Sequence, residues 1–268
     1  MKQGQDVADY LSNTGRVKRR RRLAHFLIFI SGFIYFFALV AGWITLRTEF
    51  FLAKNVEVSG NSDVSGKEIV AVLESRLFAG HHLAYLLGFN NMLIWPERVD
   101  HPENVFPQIK TIDIQKDYWK KRVTIRVAER IPYGIWCESP EVCFWFDDEG
   151  VLFRKSPASQ GNLIKTVTDS SGRSLGLGAR VLPENFFANL LSIFDSLERG
   201  GVSPNSLEVK DLSLGEVAVG ISEGPDLYFS LQFSSANTPD ILKMLKSGSA
   251  FSKLQYVDLR IPNRAYYK

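Results

Sequence analysis

Three spacings of hydrophobic and polar residues alternate along the chain. From Leu23 to Leu46 there is no polar face: LAHFLIFISGFIYFFALVAGWITL holds no Lys, Arg, Asp or Glu, and His25 is its only ionisable group. At about 1.5 Å of helical rise per residue this run spans roughly 36 Å, enough for a hydrocarbon core of about 30 Å with some tilt. A buried soluble helix would keep a polar stripe. A cleaved signal peptide has a shorter apolar run and a small-residue cleavage site, which Trp43-Ile44-Thr45-Leu46-Arg47 does not offer. The segment reads as one uncleaved transmembrane helix.

Beyond it the period switches between two and 3.6. Asn55–Ser59 alternates as a strand and stops at the turn signal Gly60-Asn61. Ser65-Gly66-Lys67-Glu68 forms a capping box ahead of Ile69, Val72, Leu73 and Leu77, which share one helical face ending near Gly80. His81–Trp95 reads as a helical turn and a buried connector, and Pro96 as the first residue of a second short helix that stops before His101. Strands follow at Ile109–Lys116 and Arg122–Glu129, so the order over residues 50–129 is β-α-α-β-β.

After Pro132 the pattern is strand-rich. Strands are expected at Tyr133–Cys137, Val142–Phe146, Val151–Phe153, Ser206–Leu212, Glu216–Ile221 and Leu227–Phe233. Glu138–Glu141 and Asp147–Gly150 read as turns, and the polar stretch Arg154–Arg180 as loop. Pro183–Arg199 is an amphipathic helix closed by Gly200-Gly201, and Thr238–Gly248 a shorter one. In the last strand Val257, Leu259 and Ile261 alternate with Tyr256, Asp258 and Arg260, giving one buried and one polar face.

Several of these stretches match a known pattern. NVEVSGNSDVSGKEIVAVL, a second helical stretch, a strand and KRVTIRVAERIPYGIW together resemble the polypeptide-transport-associated (POTRA) domain. One such domain directly after one signal-anchor helix is similar to the FtsQ/DivIB family of bacterial cell-division proteins. That family also ends this strand in a Glu-x-x-Pro corner, here Glu129-Arg130-Ile131-Pro132. WFDDEGVLF resembles the family's next hairpin, and Tyr256-Val257-Asp258-Leu259-Arg260 is the most specific match in the chain. The resemblance covers residues 23–268; the His81–Trp95 connector and a cysteine pair depart from it.

The resemblance implies an α/β plus mainly β architecture. Residues 1–22 would be a cytoplasmic tail, 23–46 the span, 50–129 a POTRA domain, and 130–268 a β-rich domain with two helices. It implies a scaffold at the division septum that binds FtsB/DivIC and FtsL outside the cytoplasmic membrane, with the septal synthase FtsW/FtsI as a further partner, and that needs no cofactor or metal. Partner contacts carry over by position onto Arg260, Ile261 and Asn263, with Ala265, Tyr266 and Tyr267 as a continuation and Tyr256 and Asp258 on the same strand's polar face. If that final strand lies at a sheet edge, its free N–H and C=O groups can receive a partner strand.

Composition adds little to this and removes some rivals. The 268 residues are 45% hydrophobic and 23% charged with a net charge of +3, which permits a core and argues against general disorder. The basicity belongs to the tail: residues 1–22 carry Lys2, Arg16, Lys18, Arg19, Arg20, Arg21 and Arg22 against Asp6 and Asp9, and the rest of the chain is slightly acidic. Lipid contact and topology account for such a run better than nucleic-acid binding. His25, His81, His82 and His101 have no ligand set at metal spacing around them, and Asp147-Asp148-Glu149-Gly150 lacks the rest of a calcium loop. No G-x-S-x-G, P-loop or G-x-G-x-x-G occurs, which disfavours a membrane-anchored hydrolase. A POTRA-bearing chaperone or translocation subunit is the other alternative, disfavoured because no β-barrel sequence follows. Cys137 and Cys143 lie across a predicted turn, either as a disulfide worth about 2 kcal/mol or as two buried thiols.

The basic flank Arg16–Arg22 places the N-terminus in the cytoplasm. A protease added outside the membrane is therefore expected to cut within Arg154–Arg180 and leave residues 1–22 intact. Replacing Arg19, Arg20, Arg21 and Arg22 by Gln should raise the inverted fraction. Protection of the C-terminal region would reverse the assigned topology.

Overall fold

The computed structural model describes residues 25–44, 49–80, 84, 87–88, 90–157, 164–222, 224–248 and 251–268. The topology residues Arg16, Lys18, Arg19, Arg20, Arg21 and Arg22 lie outside that set. Helix α1 (His25–Ile44) is long and apolar enough to cross a membrane, and its side chains are exposed almost throughout. A 3-10 turn at Glu49–Phe51 leads to β1 (Asn55–Ser59), α2 (Gly66–Gly80), β2 (Ile109–Asp117) and β3 (Arg122–Glu129). Then come β4 (Gly134–Ser139), β5 (Val142–Phe146), β6 (Leu152–Ser156), β7 (Thr166–Asp169) and α3 (Glu184–Arg199). The remainder is β8 (Pro204–Asp211), β9 (Glu216–Ile221), β10 (Asp226–Ser230), α4 (Thr238–Ser247), β11 (Tyr256–Ile261) and β12 (Arg264–Tyr267).

By contacts the chain divides into two compact units. One comprises the residues up to Val56 with 73–95 and 116–123; the other comprises 57–72, 96–115 and 124–268. Among the described residues there is a three-stranded sheet of order β1-β3-β2 and a nine-stranded mixed sheet of order β12-β11-β10-β9-β8-β7-β4-β5-β6. The fold is thus mixed α/β, with few helices on a large sheet.

Period-two burial makes the large sheet's inner face. Trp136, Phe144, Phe146, Val167, Val209, Val217, Val219, Leu227, Phe229, Val257 and Leu259 form one apolar cluster. Helix α3 lays Phe187, Leu190, Phe194 and Leu197 on it, the i, i+3, i+7 and i+10 spacing of a single helical stripe. The alternate residues Ile135, Cys137 and Cys143 form a smaller cluster on the opposite face with Trp145 and Ile164. There Cys137 and Cys143 stand directly opposite each other on β4 and β5, 4.1 Å apart at Cα, and are joined as a disulfide. The two thiol alternatives resolve in favour of the bridge.

The tetrapeptide Glu129–Pro132 is held in the second unit by charge. Glu129 accepts three backbone N–H groups, from Ser62 (2.8 Å), Asp63 (3.0 Å) and Val64 (3.1 Å). Partial burial pulls its carboxyl upward, but those three donors and Arg154 outweigh the burial and hold it below the usual Glu value. Just ahead of them Gly60 sits at φ 85°, where a Cβ would lie 2.1 Å from the Val127 carbonyl oxygen, so only glycine fits the turn. Arg130 is buried and pairs with the fully buried Asp147, while its guanidinium also reaches Glu149 at 3.1 Å and Glu103 at 3.7 Å. The other oxygen of Asp147 accepts the N–H groups of Glu149 (3.0 Å) and Val151 (2.9 Å). Lys110 donates to Asp148 at 2.8 Å, and its ammonium pKa is raised chiefly by that bond. The acidic triplet 147–149 is therefore a turn that receives two cations.

Three expectations need correction. No helix begins at Pro96: Val99 donates to Ile112 (3.1 Å) and Ile114 donates to Glu97 (2.8 Å), so the segment runs extended along β2. Its backbone groups find strand partners before a helix can use them, and the proline at 102 starts a 3-10 turn, Pro102–Asn104, instead. A helical turn does occur earlier, where Gly88 donates to Ala84 at 2.9 Å. The stretch Arg154–Arg180 is not all loop, since β6 extends to Ser156 and β7 lies inside it between β4 and β8. Strand β7 reads Thr-Val-Thr-Asp, and its polarity conceals a core position: Asp169 is buried and paired with Arg173 at 2.7 Å. Finally, the strand carrying Tyr256–Ile261 is not the edge of the sheet. It lies between β10 and β12.

Replacing Asp147 by Asn should destabilise the protein by about 3 kcal/mol, because a buried guanidinium loses its main counter-charge. The double replacement Arg130→Met with Asp147→Asn should cost less, because no buried charge is then stranded and the amide oxygen at 147 still accepts the Glu149 and Val151 N–H groups. Denaturant midpoints of the wild type and the two variants measure both.

Candidate functional site

The resemblance-derived positions converge on the β10–β12 end of the large sheet. Strand β11 pairs parallel to β10, with Leu227 opposite Val257 and Tyr228 opposite Asp258. Strand β12 then folds back antiparallel, with Val257 opposite Tyr267, Asp258 opposite Tyr266 and Ile261 opposite Arg264. Pro262 and Asn263 form the connection, with Asn263 at φ 59°. Pro followed by a left-handed Asn is the pattern of a type II turn, so Asn263 is a turn residue and not a ladder position. This corrects the single continuous strand expected there, and Ile-Pro-Asn-Arg carried the signal that was missed.

Cross-strand alternation sorts the named residues. Tyr256, Asp258, Arg260 and Tyr266 share the polar face; Ala265 packs toward the apolar cluster, and Tyr267 extends that inner face at its exposed rim. Ile261 is exposed at the turn. A cavity of about 270 Å³ opens beside it, lined by Phe233, Ile241, Leu259, Ile261, Pro262 and Arg264 among others.

Arg260 organises the polar face. Its Nε and Nη2 donate to the two oxygens of Asp258 at 2.9 and 2.7 Å, a bidentate pair, and Nη1 donates to Glu216 of β9. The guanidinium carbon lies 5.5 Å from the Tyr228 ring centre, and the Tyr228 and Tyr256 rings are 6.2 Å apart. The hydrogen bond from Arg260 holds the Asp258 carboxyl below the usual Asp value against the upward pull of partial burial, and in return raises the Arg260 pKa. Glu216 and Tyr228 were not among the sequence-derived positions; they come from other strands and only the sheet order brings them here.

Among the described residues β12 is the edge strand at this end of the sheet. Lys268 accepts from Gln255 at 2.6 Å and donates to Tyr256 at 3.3 Å. By alternation along the strand, Arg264, Tyr266 and Lys268 turn their backbone groups toward β11, and Ala265 and Tyr267 turn theirs outward. The site can add a strand; the side chains around it supply one fixed cation–carboxylate pair and a rim of tyrosines.

Asp258 gives a test of this geometry. Because its folded pKa is lowered, the pair's stabilisation is complete above the ordinary Asp value near 3.9 and is lost as pH falls through the lowered value. An NMR titration of the Asp258 carboxyl should find that low midpoint, and Arg260→Ala should move it upward.

No protein-family model matches the chain, and no curated protein matches it.

Proposed function

We propose that this protein is a membrane-anchored scaffold of the bacterial division apparatus, of the FtsQ/DivIB type. In this reading α1 crosses the cytoplasmic membrane with the basic tail inside. Residues 50–129 form a POTRA domain outside, and residues 130–268 form the partner-binding β domain. The observation that carries the reading is the open edge of β12, which continues the sheet directly beside the Tyr-Val-Asp-Leu-Arg strand. A segment of the coiled-coil division proteins FtsB/DivIC or FtsL would pair with the outward backbone of Ala265 and Tyr267, beside the Arg260–Asp258 pair, and so link septal wall synthesis by FtsW/FtsI to the membrane-anchored assembly. The Glu129–Pro132 corner and the hairpin at 142–153 support the same assignment by their resemblance to the family.

The edge makes a specific prediction. Tyr267→Pro removes one outward N–H while leaving the bonds from Tyr266 and Lys268 to β11 in place. It should weaken binding of the coiled-coil partner at least about tenfold, roughly 1.4 kcal/mol, with an unchanged melting temperature. Titration calorimetry with the partner's exterior segment measures this. A fluorescent fusion should collect at the septum; uniform membrane fluorescence and unchanged affinity in the variant would overturn the proposal.

A further inference from the structure

Trp119 is 89% exposed, more than any other large hydrophobic residue among those described. It sits in the turn between β2 and β3, where Lys120 donates its N–H to Asp117 at 2.9 Å and Lys121 takes a left-handed φ of 52°. The turn is therefore fixed, and it presents the indole outward. Around it lies an aromatic cluster from the 3-10 turn that follows α1. Phe50 stacks on Tyr118 with ring centres 6.2 Å apart and meets Trp119 edge-on at 5.8 Å; Phe51 meets Tyr118 at 6.0 Å. Phe50 is itself exposed.

Cations surround these rings. Residues 49–56 and 116–121 contain Lys54, Lys116, Lys120 and Lys121 against Glu49 and Asp117. Lys121 pairs with Glu49 at 3.6 Å and Lys120 with Asp117 at 3.7 Å, which leaves a positive excess. An anionic lipid surface attracts such charges. The cluster also cannot stray far from the apolar helix: Ile44 and Phe50 are six residues apart, at most about 20 Å of extended chain. An exposed Trp119 backed by a half-buried Tyr118 and flanked by Lys, held this close to a span, has the chemistry of a membrane–water interface, where an amphipathic ring keeps its apolar body in lipid and its polar edge in water.

We infer that the Asp117–Lys121 turn, together with Phe50, is a second membrane contact, seated in the headgroup layer of the anionic bilayer that α1 enters. The inference rests on the reading of α1 as a span. It adds an anchor that holds the first unit against the lipid surface.

The test uses the full chain reconstituted into vesicles of phosphatidylglycerol and phosphatidylethanolamine. An environment-sensitive dye is attached through Lys120→Cys or, in a separate sample, through Ser213→Cys in the exposed β8–β9 turn; the native cysteines are occupied by their disulfide. Lipids bearing a nitroxide at the headgroup–acyl boundary should quench the dye at position 120 about twofold and leave the dye at 213 unaffected. The quenching should fall in phosphatidylcholine vesicles and in the Tyr118→Ser, Trp119→Ser double variant. A dye at 120 that stays unquenched while carbonate washing leaves the protein embedded overturns this inference alone. Release of the protein by carbonate overturns the span as well. Shielding of the dye at 120 only when another division protein is added would mean that a protein, not lipid, covers the patch.

Discussion

The buried pairing of Arg130 with Asp147 is the constraint on which the second unit's geometry depends. Arg130 follows β3 immediately and donates its backbone N–H to Gln108 at 2.7 Å, while Asp147 follows β5 and caps the turn into β6. Their contact therefore joins the end of one sheet's strand to a hairpin of the other. Two charges taken out of water gain little net energy, and an apolar pair of the same shape could be as stable. The ion pair differs from an apolar contact in being directional: a guanidinium that must satisfy Asp147 and Glu149 of one turn and Glu103 of another restricts how those two backbone segments are placed.

Consecutive residues of the corner act on different partners. Glu129 gathers the N–H groups of Ser62, Asp63 and Val64, the loop that enters α2, and Arg130 gathers carboxylates from the hairpin and the 3-10 turn. Ile131 is left exposed, and Pro132 has no N–H to satisfy. A chain that leaves a strand through this tetrapeptide has its direction set on both sides by charged hydrogen bonds. That gives a physical reason for Glu and Pro to sit three apart at this place.

Much of the fold was legible because its elements keep a strict period. The boundaries of β1, β3, β5, β9 and β11 follow from alternation, and α3 follows from its apolar stripe and the paired glycines after it. What was hidden has a common cause. Strand β7 lies in a polar stretch that reads as loop, and its Asp169 enters the core only because Arg173, four positions on, pairs with it at 2.7 Å. Asp147 looked like an ordinary turn acid because its counter-ion is seventeen positions away. The polar face of the candidate site could be read from the alternation of Tyr256, Asp258 and Arg260. The contributions of Glu216 and Tyr228 could not, because a parallel β10–β11 pairing is not encoded in either strand alone.

The sheet's two ends are protected differently, and the difference bears on which one can accept a partner. At the β6 end, Leu152 exchanges hydrogen bonds with Ala179 (2.9 Å) and Gly178 (2.7 Å), so returning chain already covers part of that edge. Arg154 and Lys155 are exposed along the rest, and Arg154 is engaged by Asp63 at 2.7 Å. Charged side chains and covering loops are the usual means by which an edge strand is closed to pairing. At the other end β12 is short, which limits self-association, but it carries Ala265, Tyr266 and Tyr267 in sequence without a lysine between them. A strand approaching the β6 edge meets a loop and two cations; one approaching β12 meets Arg264 and Lys268 at its ends and tyrosine rings on both faces. In the proposed reading a partner strand adds at β12, where no loop among the described residues covers the edge as residues 178–179 cover β6.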